Sequence, residues 1–332
     1  MSNKDIKSTR KTIKLLNGST ENSCVSSLVV GGKVIDDPSE LAEEFNIHFS
    51  QIADKLREKS PDLNSDLSRL TNFVKSRKYH DVVFTLRDIT ISQVIIFWRE
   101  LFQTNQLVST VIAPVIAPSI VRMINYSFAT GTFPQRWKTA KVTPLFKKGD
   151  GSDPSNYRPI SVLTVLSKVI ERYVHDSLYD FPQVNNLIYS TQSGFCKHHG
   201  TETAMIKIAD ELLLNLDNNR VSGVLLLDYC KAFEMVDHNL LLMKLEAYGV
   251  TDRAYNCCQS YLSGRRLLVC IDGKNSSLAC VNHGVPQGSI LGPPFFILFI
   301  NDLPLNITAQ TDLYADDTTI TCSADYKFMH KL

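Results

Sequence analysis

The chain has 332 residues, of which 44% are hydrophobic and 21% charged, an ordinary globular composition long enough to bury a sizeable core. Its 35 Lys and Arg nearly balance its 34 Asp and Glu, so net charge announces neither a nucleic acid nor an acidic surface, and any such signal must be local. Near the start, Lys4, Lys7, Arg10, Lys11 and Lys14 face a single Asp5 without an apolar core segment, which excludes a secretory signal there. The apolar runs Val108 to Val121 and Ile290 to Ile300 are interrupted by prolines and fall short of the roughly 18 residues of a membrane span. The expectation is an intracellular protein, of cytoplasm or nucleus, that does not meet a membrane.

In chain order, residues 1–30 are polar and predict a mobile segment or linker. After the turn residues Gly31-Gly32 and Asp36-Asp37-Pro38, Ser39 predicts an N-cap for a helix carrying Leu41, Phe45, Ile47, Phe49 and Ile52. Residues 57–79 read as loop, Val82-Val83-Phe84 as the start of a strand, and Ile91 to Leu101 as an amphipathic helix. A mostly helical connector over 31–130 therefore precedes a region, 131–332, in which strands and helices alternate. There, Val221 to Leu227 is a continuous apolar run ending in Asp228 and predicts a buried strand. Leu240 to Tyr248 and Arg253 to Leu262 have helical spacing. Leu267 to Ile271 and Leu278 to Val281, joined through Asp272-Gly273-Lys274-Asn275, predict a hairpin. A helix opens near Pro293, with Pro294 expected to delay it by a residue. A second hairpin spans Thr311 to Cys322, with Asp316-Asp317 at its turn. The fold class expected is α+β, a sheet layered with helices on one face.

The eight cysteines form no C-x-x-C spacing, and reduced thiols are the default. Cys196-Lys197-His198-His199 lacks a second ligand pair at zinc-finger spacing, so no metal is expected there. Carboxylates carry more. Asp228 ends an apolar strand, and Asp316-Asp317 lie between apolar or β-branched segments, where an ionised carboxylate is costly unless a cation or donor meets it. Two such strands side by side would converge carboxylates on one point, which is how a Mg²⁺ pair about 3.5–4 Å apart is held for phosphoryl or nucleotidyl transfer. An isolated Asp-Asp more often simply marks a turn. From Pro134 to Arg158, six cations (Arg136, Lys138, Lys141, Lys147, Lys148, Arg158) face two acids (Asp150, Asp153), a surface suited to a triphosphate or equally a solvated loop face. Trp137 reads as a core anchor more readily than as a stacking platform.

Several long motifs decide between these readings. They are Trp137-Lys138-x-Ala140-x-Val142-x-Pro144-Leu145-Phe146-Lys147-Lys148-Gly149-Asp150, Asn156-Tyr157-Arg158-Pro159-Ile160-Ser161, Ser167-Lys168 with Glu171, and Gln192-Ser193-Gly194-Phe195. Further on come Leu227-Asp228-Tyr229-Cys230-Lys231-Ala232-Phe233-Glu234-x-Val236-Asp237-His238, Gly284 to Pro293, Ile300-Asn301-Asp302-Leu303, and Tyr314-Ala315-Asp316-Asp317. In this order they resemble the reverse transcriptases of LINE-type, jockey-like non-LTR retrotransposons. The resemblance implies a right-hand polymerase, with fingers and a mixed or antiparallel palm sheet packed on helices. It implies RNA-directed DNA synthesis from a primer 3′-hydroxyl with RNA template, DNA primer and deoxynucleoside triphosphates, using two Mg²⁺ ions or Mn²⁺ in their place.

By the same resemblance, Asp228 and Asp316 bind the metals and Asp317 supports them. Phe233 lies under the incoming sugar and disfavours a 2′-hydroxyl, though core packing is its simpler reading. Gln287 and Gly288 shape the nucleotide pocket, and Arg158, with Lys141, meets the triphosphate. Glu234 stands where the family usually has Asp, Pro294 where an apolar residue is usual, and a segment between Leu101 and Ala113 is short. Fifteen residues follow Asp317, so the resemblance implies that the later palm, a general-acid lysine and the thumb would lie beyond Leu332, and that no endonuclease domain precedes residue 1. The expectation is thus a polymerase domain, with a catalytically inactive remnant that at most binds nucleic acid as the alternative.

Overall fold

The computed structural model describes residues 25–58, 66–77, 82–102, 105, 107–196 and 199–326. It is a mixed α/β protein that divides into two compact units, one of residues 1–50, 141–160 and 267–279, the other of 51–140, 161–266 and 280–332.

In the first unit, β1 (Leu28–Val30) and β2 (Lys33–Ile35) form a hairpin across Gly31-Gly32, whose φ values of 58° and 82° are the left-handed ones glycine adopts without strain. The expected linker thus ends in a strand, and its first 24 residues lie outside the described ones. Helix α1 (Pro38–Arg57) follows, and its cap is Asp37 where Ser39 was expected: Asp37 Oδ1 accepts the N–H groups of Ser39 and Glu40. Phe45 stacks on Phe49 and meets Tyr157 edge-on, with ring centroids 4.9 Å apart. A five-stranded sheet has the order β4 (Tyr157–Val162), β3 (Thr139–Phe146), β6 (Arg265–Ile271), β7 (Lys274–Asn275), with β8 (Ala279–Val281) also on β6. The hairpin expected from Asp272-Gly273 is therefore tighter than anticipated. Both residues take positive φ, 47° and 78°, and β7 begins immediately after them.

The second unit carries the main core. Helix α2 (Ser68–Arg77) occupies part of the stretch read as loop; only Leu70 and Val74 of it are buried, too few apolar residues for its polar sequence to announce a helix. Helix α3 (Ile91–Leu101) matches its expected bounds, started by the capping box of Thr90 and Gln93. A π-helical segment (Leu107–Ile112) leads into α4 (Ala113–Thr130), which runs unbroken through Pro118 and packs Ala117, Ile120, Ile124 and Phe128 into the core. The helix Thr110–Thr130 is long and apolar enough to cross a membrane by composition alone, a test that core helices also pass. Trp137 is buried and meets Phe133 edge-on, as a core anchor does. Around it close α5 (Val165–Val184), α7 (His238–Tyr248), α8 (Asp252–Leu262) and α9 (Gly292–Ile300).

Helix α9 starts at Gly292 with both prolines in its first turn, so Pro294 does not delay it. A proline there forfeits only donors that a first turn cannot use. Its far end is tied by the buried Lys244, whose Nζ donates to Phe299 O and pairs with Asp302, each at 2.6 Å.

The remaining sheet has three strands in the order β5 (Arg220–Asp228), β10 (Asp317–Asp325), β9 (Gln310–Tyr314), all antiparallel. Helix α6 (Thr201–Asp217) lies by it, with Lys207 Nζ 2.8 Å from the buried Asp312 of β9. The strand expected at 221–227 is present, but it is not buried. As the edge of a three-stranded sheet it leaves Leu225 54% and Leu226 74% exposed. Continuous apolar runs imply cover on both faces, and among the described residues this strand has little on either.

Candidate active site

The carboxylates singled out in the sequence meet at the β9–β10 turn and the strand end beside it. Tyr314 pairs with Asp317 across a two-residue connection, and Ala315 takes φ 56°, as the first position of a type II′ turn requires. An alanine accepts this left-handed geometry at a cost, so something must hold it. The support is residues 191–194. Leu313 N–H donates to Thr191 O and Ser193 N–H to Leu313 O, at 3.1 and 2.8 Å. The amide oxygen of Gln192 accepts the N–H groups of both Gly194 and Ala315, at 2.7 and 3.3 Å. Gly194 lies so near that a Cβ on it would come 2.0 Å from Ala315 N.

On the neighbouring strand, Asp228 is the register partner of Asp317, so two carboxylates stand opposite each other at one end of the sheet with Asp316 in the adjoining turn. Asp228 and Asp317 are exposed and Asp316 is half-buried. Opposed like charges on paired strands repel, an arrangement that a cation relieves. Among the described residues no three His, Cys, Asp or Glu side chains form a group that could hold a metal by themselves. Mg²⁺ does not ask for one, since it commonly takes one or two carboxylates and completes its shell with water and substrate phosphate oxygens. The hard oxygen donors present suit that ion. Of Cys196–His199, where no metal was expected, Lys197 and His198 lie outside the described residues.

Phe233 follows in the segment between β5 and α7. It is half-buried, stacked on Phe296 at 4.7 Å and edge-on to Phe195 at 6.4 Å. The ring is thereby committed on at least one face to packing. Beyond α8 and β6, residues 284–292 form a loop fastened at many points. Gly284 N–H donates to Val236 O and Val285 N–H to Phe233 O. Gln287 Nε2 donates to Glu234 Oε1 at 2.9 Å, and Gln287 O accepts Ser161 N–H at 2.7 Å. Gly288 has φ 100°, and a Cβ there would lie 2.7 Å from Ser161 O. Only glycine serves at that position. Lys141 on β3 and Arg158 on β4 belong to the first unit, both exposed on strands whose alternate residues are buried.

Three groups in this site had no role from sequence. Gln192 props the turn, Glu171 binds the loop before α9, and His238 donates from Nε2 to Gly284 O at 2.7 Å. Burial holds the His238 imidazole below its ordinary pKa of 6.5; the Gly284 carbonyl and Asp237 pull it up, while His283 and Arg265 push it further down. In the folded chain this ring stays neutral where the unfolded chain already binds a proton. Its contribution to stability is therefore full above about pH 6.5 and is lost as pH falls below that value, by up to about 1.4 kcal/mol per pH unit. Melting curves between pH 7.5 and 5.5 are expected to show that loss, and His238→Gln to flatten it. An equal slope in both proteins would assign the pH dependence elsewhere.

Residues 146–332 match the family model described as "Reverse transcriptase (RNA-dependent DNA polymerase)". The match covers more than half of the chain, which therefore belongs to the reverse transcriptase family. Among curated proteins the chain is similar to the RNA-directed DNA polymerase from mobile element jockey of Drosophila melanogaster, 32% identical over 204 residues, 61% of this chain and 22% of that protein. The jockey polymerase of Drosophila funebris is 32% identical over 207 residues, 62% of this chain and 22% of the relative. The Pol polyprotein of the type-1 retrotransposable element R2 of Popillia japonica is 25% identical over 174 residues, 52% and 24% of the two chains. The chain thus spans less than a quarter of the length of these relatives.

Proposed function

We propose that this chain carries the palm and fingers chemistry of an RNA-directed DNA polymerase, adding deoxynucleotides to a primer 3′-hydroxyl on an RNA template. The observation that supports this most directly is the pairing of Asp228 with Asp317 beside Asp316 in a braced turn, within a chain of this family. In this reading Asp228 and Asp316 hold two Mg²⁺ ions, or Mn²⁺, and Asp317 adds negative charge next to them. Bound there, the ions would neutralise the attacking and leaving oxygens of an in-line displacement. The chain's own residues hold the substrate. Gln287 and Gly288 border the incoming nucleotide with backbone at close range, and Phe233 lies under its sugar. In the first unit, taken by itself, the exposed Lys141 and Arg158 suit phosphate oxygens.

Extension of a DNA primer on an RNA template, with Mg²⁺ and beside an Asp316→Ala variant, tests this. The expected result is product that depends on Asp316. Salt-sensitive binding of the template without any extension would instead identify a nucleic-acid-binding protein that has lost catalysis.

A further inference from the structure

The start of α9 has few amide donors, and all of them are engaged. Pro293 and Pro294 have no N–H, and Leu291 at the N-cap has no side-chain acceptor to offer the first turn. That leaves Gly292, whose N–H donates to Ser289 Oγ at 2.9 Å, and Ile290 and Leu291, whose N–H groups donate to Glu171 Oε2 at 2.8 and 3.4 Å. Glu171 stands 119 residues earlier on α5 and is wholly buried, its other oxygen accepting Ser167 Oγ–H at 2.6 Å. Burial pushes this carboxyl above its usual range while Ser167, the Ile290 N–H and Arg265 pull the other way. In either protonation state an oxygen remains as the acceptor for the two amides.

These bonds reach the nucleotide loop through Ser289, whose N–H and Oγ both bond to Pro286 O, at 3.1 and 2.8 Å. The other side of the same loop is held by Ser161 and Glu234. Residues 286–288 are thus suspended between two anchorages, and Glu171 is the one tied to α9.

We propose that Glu171 is a positioning residue for nucleotide recognition: by accepting the Ile290 and Leu291 N–H groups it fixes the Pro286–Gly288 loop, and its loss falls on the incoming nucleotide while primer–template binding is spared. This rests on the polymerase reading above, in which that loop borders the nucleotide. Buried amides without an acceptor do not stay in place, and a shift of about 1 Å in a substrate-positioning element costs up to about a hundredfold.

The test uses the full chain, with deoxynucleotide and primer–template varied separately and amide hydrogen exchange read across residues 284–292. Glu171→Leu keeps the volume without an acceptor. It should raise the deoxynucleotide KM by about tenfold or more, leave the primer–template KM within about twofold, and speed exchange at 286–292 but not in β9–β10. Glu171→Gln keeps a carbonyl oxygen at the amides and should recover most of the deoxynucleotide KM. Should Glu171→Leu fail to fold, Ser289→Ala, which removes the hydroxyl's bonds to Pro286 O and from Gly292 N–H while Glu171 and the Ser289 N–H stay in place, should give a smaller rise of the same selective kind. An unchanged deoxynucleotide KM in these variants, a Gln variant no better than Leu, or a parallel rise in both KM values with uniformly faster exchange would overturn the proposal. If the unaltered chain extends no primer, the polymerase reading fails, and the exchange comparison alone decides the positioning contact: selective acceleration at 286–292 upholds it and uniform acceleration ends it.

Discussion

Asp228→Asn is expected to make the chain slightly more stable and nearly inactive. Asp228 and Asp317 are register partners on adjacent antiparallel strands, so their side chains share one face of the sheet. Without a cation the two charges repel, and removing one from an exposed pair should gain a few tenths of a kcal/mol. The gain should shrink as salt is raised from about 0.05 to about 0.5 M, because exposed charges are screened over roughly 10 Å or less. Activity should move the other way. A metal-bound transferring group draws several kcal/mol of transition-state stabilisation from the ion, and each 1.4 kcal/mol is about tenfold in rate, so loss of a ligand should cost about a thousandfold or more in Mg²⁺-dependent extension. Denaturant titration in chelator at two salt concentrations, with extension assays alongside, reads both effects. A variant that is destabilised, or that keeps a tenth of its activity, would show that Asp228 is not held against Asp317 for a metal.

The same opposition of charge explains why part of this site could be read from residues alone. An apolar strand that ends in Asp, and a β-rich hairpin with Asp-Asp at its tip, are local patterns, and both elements formed where they were expected. Burial was not local. Val221 to Leu227 has the composition of a covered strand, yet whether an edge is covered depends on elements that the strand's own residues do not encode. The anchors were likewise invisible, because Glu171 meets Ile290 across 119 positions, Gln192 meets Ala315 across 123, and His238 meets Gly284 across 46. No periodicity reports such pairings. Helix α2 was missed for a different reason: with two buried residues, its formation rests on docking Leu70 and Val74 into the core and not on its own pattern. Asp37 displaced Ser39 as a cap because Pro38, fixed near helical φ, suits the first helical position and leaves the preceding residue to cap.

Gly194→Ala is expected to be strongly damaging, and Gly223→Ala harmless. Both glycines lie beside the three-stranded sheet or within it, and neither has the positive φ that would exclude alanine on backbone grounds. Space separates them. A Cβ on Gly194 would sit 2.0 Å from Ala315 N and 2.6 Å from its Cα, and backbone cannot swing aside as a flexible side chain can. Relief requires moving either residues 191–194, which hold Leu313 and Ala315 by hydrogen bonds, or the turn itself. Overpacking of this kind costs about 1–3 kcal/mol in stability. Because the displaced residue adjoins Asp316, a shift of about 1 Å should also cost about a hundredfold in primer extension. On Gly223 in β5 the same methyl meets nothing within 4 Å. There it removes unfolded-state freedom at no steric cost, which should add about 0.4–1 kcal/mol. Denaturation midpoints and extension rates for the two variants, measured together, give opposite signs for stability if the segment Gln192–Gly194 braces the β9–β10 turn. Equal tolerance of both methyls would mean that the turn keeps its geometry without that brace.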